Sequence, residues 1–165
     1  MIKIGIDVGS TTAKLVAVDE NDNLLFSKYE RHNAKAKETI LSFLKELLSE
    51  IGDKDISVRI TGSIGMGISE KCSLPFVQEV VAAAKAIQKD YSHVTSMIDI
   101  GGEDAKVVFF KDAEATDLRM NGNCAGGTGA FIDQMAIILG VNIDELNQLA
   151  MNATQVYPIA SRCGV

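Results

Sequence analysis

The sequence predicts an α/β protein built from two copies of one lobe, the second copy incomplete, and three observations carry that prediction. The apolar patterns read strand, strand, strand, helix, strand, helix, and then a three-strand run begins again. Gly5-Ile6-Asp7-Val8-Gly9-Ser10-Thr11-Thr12-Ala13-Lys14-Leu15-Val16 is answered 92 positions later by Met97-Ile98-Asp99-Ile100-Gly101-Gly102-Glu103-Asp104-Ala105-Lys106-Val107-Val108. Chance rarely writes one hairpin twice, so this repeat outweighs any single motif. Finally, 47% hydrophobic residues with 5% aromatics and no Trp suit aliphatic strands packed under helices.

In the first copy, residues 2–8 and 13–19 are strands flanking a Gly-containing turn, and 24–30 follows the Glu20-Asn21-Asp22-Asn23 turn as a meander strand. Residues 34–51 form a helix, because Ile40, Phe43, Leu44, Leu47, Leu48 and Ile51 recur with helical spacing and Gly52 sits where a C-terminal cap belongs. A strand at 56–61 leads into a flexible turn, Gly62-Ser63-Ile64-Gly65-Met66-Gly67. Pro75 stops a short helical piece, and 76–90 forms a helix with Val80, Val81, Ala84 and Ile87 on one face. The second copy opens with a strand at 95–100, followed by strands near 105–111 and 115–120. A glycine-rich run, 121–129, then feeds a helix to Leu139 with Phe131, Met135 and Ile138 in step. Asn142 begins one more helix, with Glu145 placed for a capping box. The lobes are bounded at 1–93 and 94–165.

Bulk properties narrow the function. No apolar run approaches the roughly 18 residues of a membrane helix, and Met1-Ile2-Lys3 runs straight into a strand rather than a signal peptide. Both point to a cytoplasmic protein without a membrane. A net charge of −6 with no basic cluster argues against a nucleic-acid partner. Three cysteines, Cys72, Cys124 and Cys163, disfavour a disulfide framework and leave core, metal or redox roles open. The stop at Cys163-Gly164-Val165, with no closing strand, reads as the edge of a fragment of a longer protein.

The chemistry lies at the hairpin tips. In each copy an apolar strand carries an Asp, a Gly follows after one intervening residue, and a second strand carries a Lys. Such a tip gathers backbone N–H groups and a carboxylate, which is equipment for phosphate and its metal ion. Two tips suggest one ligand held across a cleft. Ser10, Thr11 and Thr12 offer hydroxyls and N–H groups; Gly9 lets the backbone turn without a Cβ clash; Asp7 would hold Mg²⁺ directly or through its waters. Lys14 either reaches a phosphate or points to solvent. At the second tip Asp99 corresponds to Asp7, Gly101 and Gly102 supply the turn, and Glu103 either positions a water for attack on a terminal phosphate or is a solvated turn residue. The competing reading is a plain Gly-turn hairpin. Cys124 precedes a glycine-rich turn at a helix start, where partial positive charge favours thiolate, and Cys163 precedes Gly164. Buried small hydrophobes are the alternative for both. An iron–sulfur cluster needs four thiolates, which two chains related by a twofold axis would supply. Cys72 reads as a packed core residue, and His32 and His93 as surface residues.

Together Gly5–Lys14, Ile98–Lys106, Asn121–Gly129 and Ala160-Ser161-Arg162-Cys163 resemble the actin-like ATPase superfamily, of ribonuclease H-like fold. Within it they resemble the activators of 2-hydroxyacyl-CoA dehydratases, whose relatives include the ATPase subunits of benzoyl-CoA reductases. Tyr29-Glu30-Arg31-His32 and Leu74–Val80 resemble longer members fused to dehydratase-like regions. The resemblance implies an ATPase working as a homodimer that bridges one [4Fe-4S] cluster. ATP binding and hydrolysis to ADP would change the angle between the helices that point at the cluster. One electron, supplied by a ferredoxin or flavodoxin, would then pass to a dehydratase or related reductase partner. It implies Cys124 and Cys163 as cluster ligands. Asp7, Gly9, Ser10, Thr11, Thr12, Lys14, Asp99, Gly101 and Gly102 would face the phosphates and Mg²⁺. Gly126, Gly127, Thr128 and Gly129 would link nucleotide to cluster. Glu103 stands where the activators often carry Gln, and the later adenosine-site loop and closing helices of the family lie beyond this sequence. Two other readings compete: a small-molecule kinase of the same superfamily, with no metal on its cysteines, and a non-catalytic docking or dimerisation module.

Overall fold

Ile2, Ile4, Ile6 and Val8 alternate with Lys3, Gly5 and Asp7, and in the computed structural model this period of two becomes strand β1 (Ile2–Val8) with its aliphatic face fully buried. Residues 1–111, 114–121 and 126–158 are described, and they fall into two compact units, Met1–Asp90 and Tyr91–Val165. In the first, β2 (Thr12–Val18) pairs antiparallel with β1, β3 (Leu24–Arg31) pairs antiparallel with β2, and β4 (Ile56–Thr61) pairs parallel with β1. The sheet order is β3-β2-β1-β4. Helix α1 (Ala36–Ile51) makes the connection to β4 and contributes Ile40, Phe43, Leu47 and Ile51 to the same core cluster as Ile4, Ile6, Leu15 and Ile60. Its period places these four on one stripe; Leu44 is partly buried and Leu48 is exposed. Gly52 ends the helix at φ 64, its N–H on Leu48 O at 3.1 Å, as its position predicts. All of the apolar burial is thus on one face of the sheet. Asp7 and Lys14, directly opposite each other across β1 and β2, stand on the other.

Two expectations are corrected. The segment 62–67 is not simply a flexible turn: α2 (Gly65–Cys72) runs through Gly65-Met66-Gly67. Glycine is suited there because a Cβ at Gly65 would lie 2.9 Å from Ile60 Cγ2, so this helix start packs directly against β4. The helix expected at 76–90 begins later, as α3 (Glu79–Asp90). Ile60 N–H donates to Pro75 O (3.0 Å) and Val77 N–H to Ile60 O (2.8 Å), which holds residues 75–77 extended beside β4. A β-ladder contact outbids local helical pattern, and of the expected face only Ala84 is buried, with Val81 exposed.

Asp22, in the β2–β3 turn, accepts from Lys3 of β1 (2.8 Å) and from Lys89 in the last turn of α3. These two hydrogen bonds, with the cations' charge, bring its pKa from 3.8 to about 2. A depressed carboxylate contributes stability above its unfolded value and loses it as pH falls through the folded one. Asp22→Asn is therefore expected to flatten the acid limb of the stability curve between pH 3.8 and about 2, read by urea denaturation followed by circular dichroism. An acid limb identical to that of the parent chain would show that these ion pairs exert no net force.

In the second unit β5 (Ser96–Ile100), β6 (Ala105–Lys111) and β7 (Glu114–Asn121) form an antiparallel meander, followed by α4 (Gly129–Leu139) and α5 (Ile143–Met151). The capping box at α5 forms in both directions: Glu145 N–H donates to Asn142 Oδ1 (2.9 Å) and Asn142 N–H to Glu145 Oε2 (2.8 Å). In α4, Ala136 is buried while Ile138, expected on the packed face, is exposed. The repeat holds in backbone and register, Asp99 facing Lys106 as Asp7 faces Lys14. It departs in cover. Ile98 and Ile100, counterparts of the buried Ile6 and Val8, are 70% and 51% exposed.

Candidate functional site

The first tip is the turn from Gly9 to Thr12, closed by Gly9 N–H donating to Thr12 O at 3.0 Å. Thr11 O accepts from His32 N–H (3.2 Å), which extends the β2–β3 ladder past its last pair, and Gly9 O lies 3.1 Å from His32 Nε2. The carbonyls of Gly9, Thr11 and Thr12 are thus all satisfied inward. The N–H groups of Ser10 and Thr11 have no acceptor among the described residues. A turn with carbonyls in and amides out is an anion receiver. Gly9 itself has a negative φ, and a Cβ on it would meet nothing closer than Thr12 O at 3.8 Å. The expected steric need for glycine is therefore absent from the turn; what a side chain here would obstruct is the space outside it.

Beneath the tip, Lys14 Nζ pairs with Asp7 Oδ2 at 2.8 Å and lies 5.5 Å from the Tyr29 ring centroid. Partial burial works against the ammonium, but the Asp7 hydrogen bond and charge outweigh it and hold the Lys14 pKa above its ordinary value. Lys14 is a fixed cation rather than a free solvated chain. Thr61, opposite Asp7 on β4, has a hydroxyl that is buried without a hydrogen-bond partner among the described residues. Asp7 Oδ2 is engaged and Oδ1 faces the Gly62 turn. Thr61 and His32 belong to this site and were not read as such from sequence. For Thr61 the register of β1 with β4 was the missing information.

The second tip repeats the turn: Gly101 N–H donates to Asp104 O at 2.9 Å, as Gly9 does to Thr12. Its carbonyls are also satisfied, here by the start of α4: Gly129 N–H donates to Gly101 O (2.8 Å) and Ala130 N–H to Gly102 O (3.0 Å). The N–H groups of Gly102 and Glu103 have no acceptor among the described residues, and Glu103 is exposed. Lys106, its side chain only 7% exposed, sits 2.9 Å from Asp104 Oδ2 and 3.8 Å from Asp99 Oδ2. Asp104 and Lys106 thus join Asp99 in the site. The same offset that equates Asp99 with Asp7 equates Lys106 with Lys14, and that signal was present in the sequence.

The glycine-rich run is stitched to this tip through Gly129. Thr128, in extended conformation at the head of α4, is fully buried, and Gly127 takes φ 79. Asn121 Nδ2, at the end of β7, donates to Gly126 O at 3.2 Å. Cys124 and Cys163 lie outside the described residues. Among those described, no group of three His, Cys, Asp or Glu side chains converges to hold a metal. Two expectations about single residues are overturned. Cys72 is exposed, because α2 packs through Gly65 and Ser69 and turns its last residue outward. His32 is buried, 4% exposed, because the chain folds it under the first tip; His93 is exposed as expected.

Residues 4–165 match one protein family across nearly their whole length. The chain belongs to the BadF/BadG/BcrA/BcrD ATPase family. Among this family's curated relatives it is 29% identical over 164 residues to the (R)-2-hydroxyglutaryl-CoA dehydratase activating ATPase of Acidaminococcus fermentans, covering 98% of this chain and 63% of that protein. It is 31% identical over 178 residues to the 2-hydroxyisocaproyl-CoA dehydratase activator of Clostridioides difficile, covering 100% of this chain and 62% of that one. The fold agrees with the crystal structure of the A. fermentans component A at TM-score 0.86 and 28% identity, over 99% of this chain and 64% of that one. It agrees with the C. difficile activator with bound ADPNP at TM-score 0.85 and 29% identity, over 99% and 62%. The ethanolamine utilization protein EutJ of Carboxydothermus hydrogenoformans shares the fold at TM-score 0.63 and 15% identity, over 92% and 62%. The chain is therefore an α/β protein of the actin-like ATPase fold that spans less than two thirds of the length of these relatives. No helix among the described residues is long and apolar enough to cross a membrane.

Proposed function

We propose that this chain binds ATP as part of an activator of a 2-hydroxyacyl-CoA dehydratase-type enzyme. The observation that carries the reading is the turn itself: carbonyls satisfied inward, two amides outward and an Asp–Lys pair beneath, written twice in a chain of an ATPase family. In this reading Ser10, Thr11 and Thr12 receive phosphate oxygens through N–H and hydroxyl groups, and Lys14 supplies a fixed positive charge. Gly101, Gly102 and Glu103 act similarly at the second tip, Glu103 orienting the attacking water. Mg²⁺ fits this donor set: hard carboxylate oxygens at Asp7 and Asp99 complement phosphate and water ligands, and no cage of protein side chains is required. The bound ion would neutralise phosphate charge; Asp7 and Asp99 would hold it. Gly126, Gly127, Thr128 and Gly129 would relay the state of the second tip to the segment bearing Cys124, a coupling supported by the Gly129–Gly101 and Ala130–Gly102 hydrogen bonds. Cys124 and Cys163, two from each chain of a homodimer, would hold a [4Fe-4S] cluster that supplies one-electron chemistry; this assignment is supported by the family resemblance alone. The electron would come from a ferredoxin or flavodoxin and pass to the dehydratase component.

The test is anaerobic purification with iron counted per chain, and calorimetric titration with Mg·ATP. About two irons per chain and saturable Mg·ATP binding are expected, with Cys124→Ser abolishing the iron and Cys72→Ser leaving it. An iron-free protein that binds Mg·ATP and phosphorylates a sugar or acid would be a kinase instead, and one with neither iron nor nucleotide a docking module. A finer expectation follows from Gly9. Gly9→Ala is expected to leave stability within about 0.5 kcal/mol and to weaken Mg·ATP binding, because its Cβ has room in the folded chain and obstructs the approach to the Ser10 amide. Lost stability with unaltered binding would refute that.

A further inference from the structure

We propose that His32 is a positioning residue for the first phosphate turn. Its Nε2–H holds the Gly9 carbonyl inward, so that the Ser10 and Thr11 amides face out. The proposal deepens the nucleotide-binding reading above and rests on it for its functional consequence.

Three observations carry it. The imidazole is 4% exposed and aims Nε2 at Gly9 O, 3.1 Å away, while the backbone N–H of the same residue takes Thr11 O at 3.2 Å. One residue thus grips both sides of the turn. A carbonyl oxygen only accepts, so this bond requires a proton on Nε2, while Nδ1 is buried with no partner among the described residues. Next, the repeat supplies a control within the molecule. At the second tip the carbonyl in the same place, Gly101 O, accepts from Gly129 N–H of α4 at 2.8 Å. Both tips place a nitrogen against this oxygen; one uses a helix start and the other an imidazole. Finally, the chain is strained to put the ring there. Asn33 and Ala34, just after His32, take φ 47 and φ 62, and Lys35 N–H closes the turn on His32 O at 2.7 Å. Left-handed backbone is unfavourable for an L-residue such as Ala, and strain of this kind persists where surrounding contacts impose it.

A core histidine held only for its shape would be replaceable by Phe; a positioning donor would not. The experiment compares the chain with His32→Phe, which keeps a planar ring without the donor, His32→Gln, which keeps a terminal N–H donor, and Phe43→Leu, which loosens the core away from the turn. The readouts are the imidazole tautomer by ¹⁵N NMR on the unaltered chain, hydrogen exchange of the Gly9 amide, and Mg·ATP affinity by calorimetry. The Nε2–H tautomer is expected. His32→Phe should speed Gly9 exchange and lower Mg·ATP affinity about tenfold, the worth of one well-placed hydrogen bond. His32→Gln should restore most of both, and Phe43→Leu should change neither beyond its effect on global stability. An Nδ1–H tautomer, or a His32→Phe chain with full Gly9 protection and full affinity, would overturn the proposal, as would a folded His32→Gln no better than His32→Phe. If the unaltered chain fails to bind Mg·ATP while Gly9 protection still falls with Phe and returns with Gln, the positioning role stands and the nucleotide reading is what fails.

Discussion

Replacing Gly62 by Ala is expected to lower the stability of the first unit by about 3 kcal/mol or more, at the severe end for a single substitution. Gly62 leaves β4 at φ 92, a conformation an L-side chain rarely takes. An ideal Cβ there would lie 2.4 Å from Val8 O and 2.6 Å from Asp7 Oδ1. The nearer clash is with backbone that cannot swing away: Val8 is fully buried, and its carbonyl also accepts from Ile64 N–H at 2.9 Å. Relief would require moving the end of β1, the strand that delivers Asp7 and Gly9. Urea denaturation followed by circular dichroism measures the loss. Stability within about 0.5 kcal/mol of the parent chain would mean that the β4–α2 turn does not press on β1 as described. The same substitution tests the site, because any Gly62→Ala protein that folds should also bind Mg·ATP poorly.

Asp7→Asn is expected to act in the opposite way, sparing the fold and removing function. The carboxylate is at the edge of the sheet's open face and its partner Lys14 is 47% exposed, so the ion pair contributes no more than about 1 kcal/mol to stability. Asn keeps the volume and one oxygen but not the charge that pairs with Lys14 and that the proposed function assigns to Mg²⁺. A fall in Mg·ATP affinity of about a hundredfold or more is expected, the scale on which preorganised charge acts at phosphate sites. Calorimetry with and without excess EDTA separates the metal's share: in EDTA the two chains should converge. Equal affinity of Asp7→Asn and parent chain in the presence of Mg²⁺ would remove Asp7 from the site. Asp99→Asn is expected to follow the same pattern at the second tip.

Much of this was legible locally. The spacing of Ile40, Phe43, Leu47 and Ile51 marks α1, Gly52 marks its end, and Asn142 with Glu145 marks the start of α5, because each signal lies within one or two turns of chain. The repeat went further, since Asp7 with Lys14 and Asp99 with Lys106 turn out to be cross-strand pairs in matching hairpins. Where the structure differs, a distant strand or helix intervened. Residues 75–77 gave up helical pattern for hydrogen bonds to Ile60. Gly65 and Gly67 entered α2, the former because β4 leaves no room for a Cβ. The polar surroundings of His32 in sequence gave no hint that two left-handed residues would fold it beneath Gly9.

By itself, then, the order of residues determined the strands, the two mirrored turns and the carboxylate and lysine at each, because period, turn chemistry and internal repetition are properties of near neighbours along the chain. Only the tertiary structure decided which atoms face the inward carbonyls of those turns: His32 for one and the head of α4 for the other. Those donors are brought in by hydrogen bonds across segments far apart in sequence, and no local pattern encodes where such a bond will land.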